Sequence, residues 1–274
     1  KLQTPFPRLT YHEAMRRFGS DKPDLRYGLE LADIGAVAAK SGFAVFTSAL
    51  DAKGAVKGIC VTGAASWSRK DIDALTELAK VYGAKGLAWA KVTEAGLEGP
   101  IAKFFAGGLA AELAAAMQAT PGDLLLFVAD KYAVVCAALG ALRVECARRL
   151  QLAPQGTFLL AWITDFPMFH YNEEEQRWEA EHHMFTMPRE DHLELLESDP
   201  GRVLGQLYDL VGNGAELASG SIRIHRRDIQ ERVMKVVGLS PDDARRSASS
   251  GSCWRRSTTG RRPTAGSPPG STGW

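Results

Sequence analysis

Thr157-Phe158-Leu159-Leu160-Ala161-Trp162-Ile163-Thr164, closed by Asp165-Phe166-Pro167, is the stretch from which the rest of the chain can be organised. It carries no charge until Asp165. A strand with one wet face alternates apolar and polar residues, whereas an unbroken apolar run is covered on both faces. The run therefore predicts a strand in the middle of a sheet, ending in a polar tip. Downstream, the acidic Asn172-Glu173-Glu174-Glu175 reads as a solvated hairpin tip, with Arg177 to Thr186 as the returning strand. Asp191 to Leu196 reads as a helix start and Gly201 to Val211 as further helix. Ser221 to Arg226 alternates cleanly as a strand. Arg227 to Val237 places Ile229, Val233, Val236 and Val237 on one side of a helix that Gly238 ends.

Upstream, residues 30–150 alternate strand-like and helix-like stretches and predict an inserted α+β domain. Val56 to Val61, Leu87 to Val92 and Leu124 to Ala129 are its strands. A helix begins near Ser68 with Ile72, Leu75, Ala79 and Tyr82 on one face and Gly83 at its end; a second fills Lys131 to Leu150. Before the insertion, Thr10 with Glu13 is placed to cap a short helix that stops before Gly19. The segments 1–29 and 151–244 then belong together, on either side of the insertion.

Composition excludes little but is orderly. The 274 residues are 45% hydrophobic and 24% charged with a net charge of +1, an ordinary globular balance with no global basic footprint. Four cysteines (Cys60, Cys136, Cys146, Cys253) show no C-x-x-C spacing, which predicts free thiols and a reducing compartment. No apolar run is long enough for a membrane span, and no signal peptide is visible in residues 1–10. The first residue is Lys1, as expected of a fragment.

Several residues have the chemistry of a site. Period-2 alternation sends Ser221, Arg223 and His225 to one face of their strand, where Arg223 offers a rigid fork to a carboxylate or phosphate. The same pattern also fits a half-buried strand with solvated charges. Asp209 and Glu216 flank Gly212-Asn213-Gly214, read as a helix-to-strand turn, and could converge on a Mg²⁺ that also holds nucleotide phosphates; acid pairs at this spacing are common. His182 and His183, adjacent on a predicted strand, point to opposite faces, so a shared zinc is a poor reading. A metal-dependent hydrolase built on His12, His182, His183 and Asp165 fails on spacing.

Taken in order, Pro5-Phe6-Pro7-Arg8-Leu9-Thr10-Tyr11, Gly19-Ser20-Asp21-Lys22-Pro23-Asp24, Thr164-Asp165-Phe166-Pro167-Met168-Phe169, His182-His183-Met184-Phe185-Thr186 and Gly220-Ser221-Ile222-Arg223-Ile224-His225 closely resemble the bacterial aspartyl-tRNA synthetases. Gly58-Ile59-Cys60, Ala64-Ala65-Ser66-Trp67-Ser68-Arg69 and Gly86-Leu87-Ala88-Trp89 resemble the GAD domain inserted in that family. The resemblance spans residues 1–244. It implies an α+β fold, with a class II antiparallel sheet, flanking helices and a GAD insertion. It also implies that Arg223 and His182 bind L-aspartate with His183 in support, that Glu216 and Ser221 face ATP, and that Asp209 with Glu216 holds Mg²⁺. No residue is implied as a nucleophile or base. ATP, Mg²⁺, L-aspartate and tRNA(Asp) are the implied ligands, with a cytoplasmic homodimer as the complete form and no membrane partner. The family usually carries a run of glycines after the position of Glu216, where this chain has Leu217-Ala218-Ser219-Gly220. A non-catalytic tRNA-contacting module, like the GAD-containing B subunit of tRNA-dependent amidotransferases, is the alternative; His182-His183 and Ser221 to His225 favour the synthetase.

The resemblance also implies segments that this chain does not contain: an anticodon-binding barrel, the first two class II motifs and the third, with the arginines that meet ATP. In place of the third motif, residues 245–274 are Ser, Gly, Arg, Pro and Thr with almost no aliphatic residue, too polar to offset the entropy of ordering. With GC-rich codons, Arg261 to Ser267 read two bases later becomes Pro-Pro-His-Gly-Gly-Ile. The final Gly-Ser-Thr-Gly-Trp becomes Leu-Asp-Arg-Val, and both are words of that motif. A frameshift near Arg245 is the expectation, and sequencing the gene tests it.

Overall fold

In a computed structural model, residues 4–239 are described; the predicted tail and the helix start at Ser240 lie outside them. The described residues form two compact units, residues 4–12 with 160–239, and Glu13–Leu159. Residues 13–29 thus pack with the insertion, where the sequence pattern assigns them to the flanking segment. Glu30 reaches back to Arg17, and Leu31 N–H donates to the Arg17 carbonyl, which ties this stretch to the insertion.

The chain opens with β1 (Arg8–Thr10) and α1 (Tyr11–Phe18), and Gly19 stops the helix at φ +68°. The insertion then runs β2 (Ala32–Asp33), α2 (Gly35–Ala38), α3 (Ala44–Asp51), β3 (Ala55–Val61), α4 (Arg69–Val81), β4 (Ala88–Thr93), β5 (Gly96–Glu98), α5 (Gly108–Met117), β6 (Leu124–Asp130) and α6 (Tyr132–Arg149). Its strands form an antiparallel sheet ordered β2-β3-β6-β4-β5. The central β6 is apolar from Leu124 to Ala129 because both faces are covered. Leu124, Leu126 and Val128 pack with Ile72, Leu75, Leu139 and Leu142 of α4 and α6; Leu125 and Phe127 pack on the other side with Phe46, Phe105 and Leu113. Gly58 leaves room for the Phe127 ring, whose Cδ1 would lie 2.5 Å from a Cβ there. Ser68 and Asp71 close a capping box on α4. Tyr82, expected on the buried face of α4, is instead 46% exposed, because the helix ends at Val81 before its next turn.

The other unit resumes with β7 (Leu160–Thr164), the hairpin β8 (Phe169–Asn172) and β9 (Arg177–Ala180), the single-turn helix α7 (Leu195–Ser198), β10 (Leu207–Gly212), β11 (Ala215–Ser221) and α8 (Arg227–Val236). The sheet order is β1-β7-β10-β11; β7 is an inner strand as expected, antiparallel to β10 and parallel to β1, but it begins only at Leu160, and its Leu160, Trp162 and Thr164 face is half-buried rather than covered. Three expectations change. Residues 201–211 imitate a helix because Val203, Leu207 and Val211 recur at helical spacing, but Leu207–Gly212 is a strand held between β7 and β11, and sheet pairing overrides the weak period. The helix expected from Asp191 is a 3₁₀ turn, Glu190–His192, followed by the short α7. The returning strand stops at Ala180, so His182 and His183 sit in a turn and the alternating-face argument does not apply to them. Among the described residues no helix is long and apolar enough to cross a membrane.

Candidate functional site

The sheet of the smaller unit has two chemically different faces, and the register assigns residues to each. Residues directly opposite in a ladder share a face, and alternate residues along a strand share it too. Leu9 pairs with Ile163, Ile163 with Asp209, and Asp209 with Ser219, so these four lie on one face. Leu9, Ile163 and Asp209 are buried. Arg8, Trp162, Thr164, Tyr208 and Gly220 belong to the other.

Asp209 and Glu216 come from the two strands of one hairpin, not from a helix and a strand as the sequence suggested. Asn213 and Gly214 form its two-residue turn, at φ +51° and +85°. Between Leu210/Ala218 and Val211/Glu216 the register slips by one, with Leu217 as the extra residue. This bulge decides where Glu216 points. Glu216 stands five residues before Ser221 and seven before Arg223, and odd separations on a regular strand mean opposite faces. One extra residue restores the phase. Glu216 opposite Val211 therefore shares a face with Asp209, Ser219 and Ser221. Asp209 and Val211 stand two positions apart on β10, about 7 Å along the strand, so the two carboxylates lie on one face of the hairpin.

Arg223 lies two residues past the end of β11. Its backbone bridges to Thr186, Ile224 N–H donates to the Phe185 carbonyl (2.8 Å), and Met187 N–H to that of Ile222 (2.8 Å). The histidine turn is tied to the same segment, since Thr186 N–H donates to the His183 carbonyl at 3.0 Å. His182 meets the buried Phe166 edge-on with ring centroids 5.2 Å apart, and Phe166 in turn contacts Tyr11 at 5.3 Å. His183 is exposed. Register thus groups Asp209, Glu216 and Ser221, and backbone hydrogen bonds tie residues 183–187 to the segment 222–224 that carries Arg223. Among the described residues no cluster of three or more His, Cys, Asp and Glu could hold a metal, so the hydrolase arrangement has no counterpart.

The opposite face holds a feature that the sequence pattern does not announce. A cavity of about 820 Å³ lies over Trp162 and Tyr208, which meet edge-on at 5.7 Å, with Arg8, Thr164, Arg189 and Ile222 around it. None of the six residues chosen from sequence lines it. At its rim Asp165, at φ +58°, accepts from Arg189 (2.8 Å) and from the Thr164 hydroxyl (2.9 Å). Arg189 also binds Asp191 at 2.8 Å and keeps that carboxylate below its usual range. Asp165 and Arg189 stand 24 residues apart, and no local pattern links them. The tolerated departure from the glycine run is also explained. Gly220 lies under Tyr208, where a Cβ would come within 2.7 Å of Oη, whereas Ala218 is exposed and has room for its methyl.

Comparison with known proteins fits this geometry. Residues 46–139 match the GAD domain family. Over 245 residues, 89% of the chain, the sequence is 54% identical to the aspartate–tRNA(Asp/Asn) ligase of Bacillus cereus (strain AH187), and equally to that of Bacillus anthracis (strain A0248). The chain is thus similar over most of its length to part of the aspartyl-tRNA synthetases, and spans 42% of the length of these two relatives. The α+β fold and the GAD domain, both expected from the motifs, agree with that similarity.

Proposed function

We propose that this chain is part of an aspartate–tRNA ligase, and that Asp209, Glu216, Ser221 and Arg223 form one wall of its aspartate and ATP site. The observation that carries the reading is the bulge at Leu217, which brings residues of odd spacing onto one face of the β10–β11 hairpin. Arg223 presents two parallel N–H donors to the side-chain carboxylate of aspartate, a fit that lysine cannot copy. His182 closes that pocket from the turn packed on Phe166, with His183 in support. Ser221 faces the nucleotide. Asp209 and Glu216 fit a Mg²⁺, which takes one or two carboxylates and shares its remaining positions with water and phosphate oxygens. Bound there, the ion supplies neutralisation of charge on the ATP phosphates.

The α-carboxylate of aspartate attacks the ATP α-phosphorus and pyrophosphate leaves, giving aspartyl-adenylate. A terminal ribose hydroxyl of tRNA then takes the aspartyl group and AMP leaves. Positioning and charge stabilisation carry such a reaction without a protein nucleophile. A cytoplasmic homodimer as the complete form belongs to the same proposal.

The test is aspartate-dependent ATP–pyrophosphate exchange. The chain alone is expected to show none, because the arginines assigned to ATP lie in motifs it does not contain. A chimera in which it replaces the matching stretch of the Bacillus cereus relative is expected to be active. Arg223→Ala there should lower kcat/KM on the order of 10³-fold, since stripping one partner from a buried charge pair costs about 4 kcal/mol. A folded chimera whose exchange survives Arg223→Ala would sink the assignment.

A further inference from the structure

Thr164-Asp165-Phe166-Pro167 stands at the end of β7, and the proposed chemistry assigns none of these four residues a role. Asp165 takes φ +58°, a left-handed backbone that residues with a Cβ seldom adopt. Two hydrogen bonds hold its carboxylate there: Arg189 Nη1 donates to Oδ1 at 2.8 Å and the Thr164 hydroxyl to Oδ2 at 2.9 Å. Beyond the kink, Gly205 N–H donates to the Phe166 carbonyl and Met168 N–H to that of Val203, both at 2.9 Å. The backbone thus fixes Phe166 before its ring makes any contact.

That ring is fully buried, yet it is not part of the unit's apolar cluster around Met187, Leu196 and Val233. It meets Tyr11 at 5.3 Å and His182 at 5.2 Å, the latter with ring planes 89° apart. Edge-to-face rings prefer this angle, so the contact selects an orientation of the imidazole and not merely its distance. His182 sits in a turn, without a strand ladder to set its direction. Glu181 N–H donates to the Met168 carbonyl at 2.9 Å and Thr186 N–H to the His183 carbonyl at 3.0 Å. Those bonds hold the turn's backbone, and the Phe166 ring meets the side chain.

We infer that Phe166 is the positioning residue of His182, with Tyr11 backing the ring and the Asp165–Arg189 pair holding the kink that delivers it. Phe166 acts through the imidazole rather than on a substrate. It fixes where that ring stands, and through the ring the affinity for a small carboxylate. The inference rests on the proposed ligase reading, in which His182 closes the aspartate pocket. A group that only orients a binding residue shows itself in the Michaelis constant of that one ligand.

The experiment is aspartate-dependent ATP–pyrophosphate exchange in the chimera with the Bacillus cereus relative. Phe166→Leu is expected to raise KM for aspartate about tenfold while KM for ATP and kcat stay within about twofold, the loss of one oriented ring contact. In a His182→Ala background the same substitution should raise the aspartate KM no further, since a residue that acts through another adds nothing once that other is gone. Phe169→Leu, at the buried first residue of β8, is the control and should leave both Michaelis constants in place. If Phe166→Leu does not fold, Tyr11→Leu, which also removes a ring from Phe166, carries the test with an expected rise of about threefold. Parallel rises in both Michaelis constants, a full further loss in the His182→Ala background, or an equal effect of Phe169→Leu would each overturn the inference. Exchange that survives Arg223→Ala means that the ligase reading has failed. Exchange lost in Arg223→Ala, with an unmoved aspartate KM in Phe166→Leu, means that the positioning role alone has failed.

Discussion

The two sheets differ in how their faces are covered, and the difference tells where chemistry can sit. In the insertion, β3 and β6 are buried on both sides between two apolar clusters, so no strand residue there is free to meet a ligand and any function is pushed to the rim. In the other unit, Leu9, Ile163 and Val211 are buried on one face, while Trp162, Thr164 and Tyr208 remain half-buried around a cavity. Its strands carry Asp209 in the middle of β10 and Ser221 at the end of β11. A sheet that keeps polar side chains on its strands has given up some core to do so.

Removing core atoms should expose this contrast most strongly. Leu126→Ala, at a fully buried position on the closed sheet, is expected to destabilise the insertion by about 3 kcal/mol or more. Trp162→Ala, on the half-open face, removes a larger side chain yet should cost only about 1–2 kcal/mol, because much of that surface already meets water. Urea unfolding followed by far-ultraviolet circular dichroism would compare them. Equal losses would mean that the two sheets are packed alike and that the contrast is an illusion of surface area.

The same contrast explains what could be read from the chain. The insertion was legible because its elements announce themselves locally: the Ser68–Asp71 box, the apolar run of β6 and the glycine stops all coincide with observed boundaries. The hairpin of the site was half legible. The strand read over Ser221 to Arg226 instead runs Ala215–Ser221, with Arg223 beyond it in a single bridge to Thr186; Gly201 to Val211 reads as helical because a central strand with apolar residues three or four apart imitates a helix period. The bulge left a sign that went unused, since five and seven are odd numbers and a shared face demanded an extra residue. The Asp165–Arg189 pair and the cavity left none, since both depend on contacts between distant segments.

A smaller effect sharpens the picture at the edge of the closed unit. Arg143 is 1% exposed, lies between the Phe18 and Tyr27 rings, and donates through Nη2 to the carbonyls of Asp24, Tyr27 and Gly28. Its Nε has no partner, and burial pulls its pKa down, so the charge is held at some cost. Arg143→Met leaves three carbonyls unpaired and is expected to destabilise by about 2 kcal/mol. Arg143→Lys should rescue part of the loss, since all three carbonyls converge on the one nitrogen Nη2 and an ammonium carries three donors. A neutral Arg143→Met would show that loop 19–28 holds its shape unaided.

The smallest expected effect separates the units by pH. Glu145 accepts from Arg148 (2.8 and 2.9 Å) and Arg149 (2.7 Å), and these bonds lower its pKa to about 2. A carboxylate depressed in the folded state stabilises fully above its unfolded pKa, near 4.5, and loses that contribution as pH falls through the folded value. The window is therefore about pH 5 down to 2. Because the Arg148 side chain is 71% exposed, solvent screening reduces the contribution to about 1 kcal/mol. Glu145→Gln should lower stability at pH 7 by that amount and flatten the acid limb of the insertion alone. The other unit's nearest analogue, Asp191 on Arg189, has a side chain 61% exposed, so its pair is expected to move that unit's unfolding less. If Glu145→Gln flattened the acid limbs of both units equally, they would be unfolding as one body, and the independence assumed in comparing their sheets would fail.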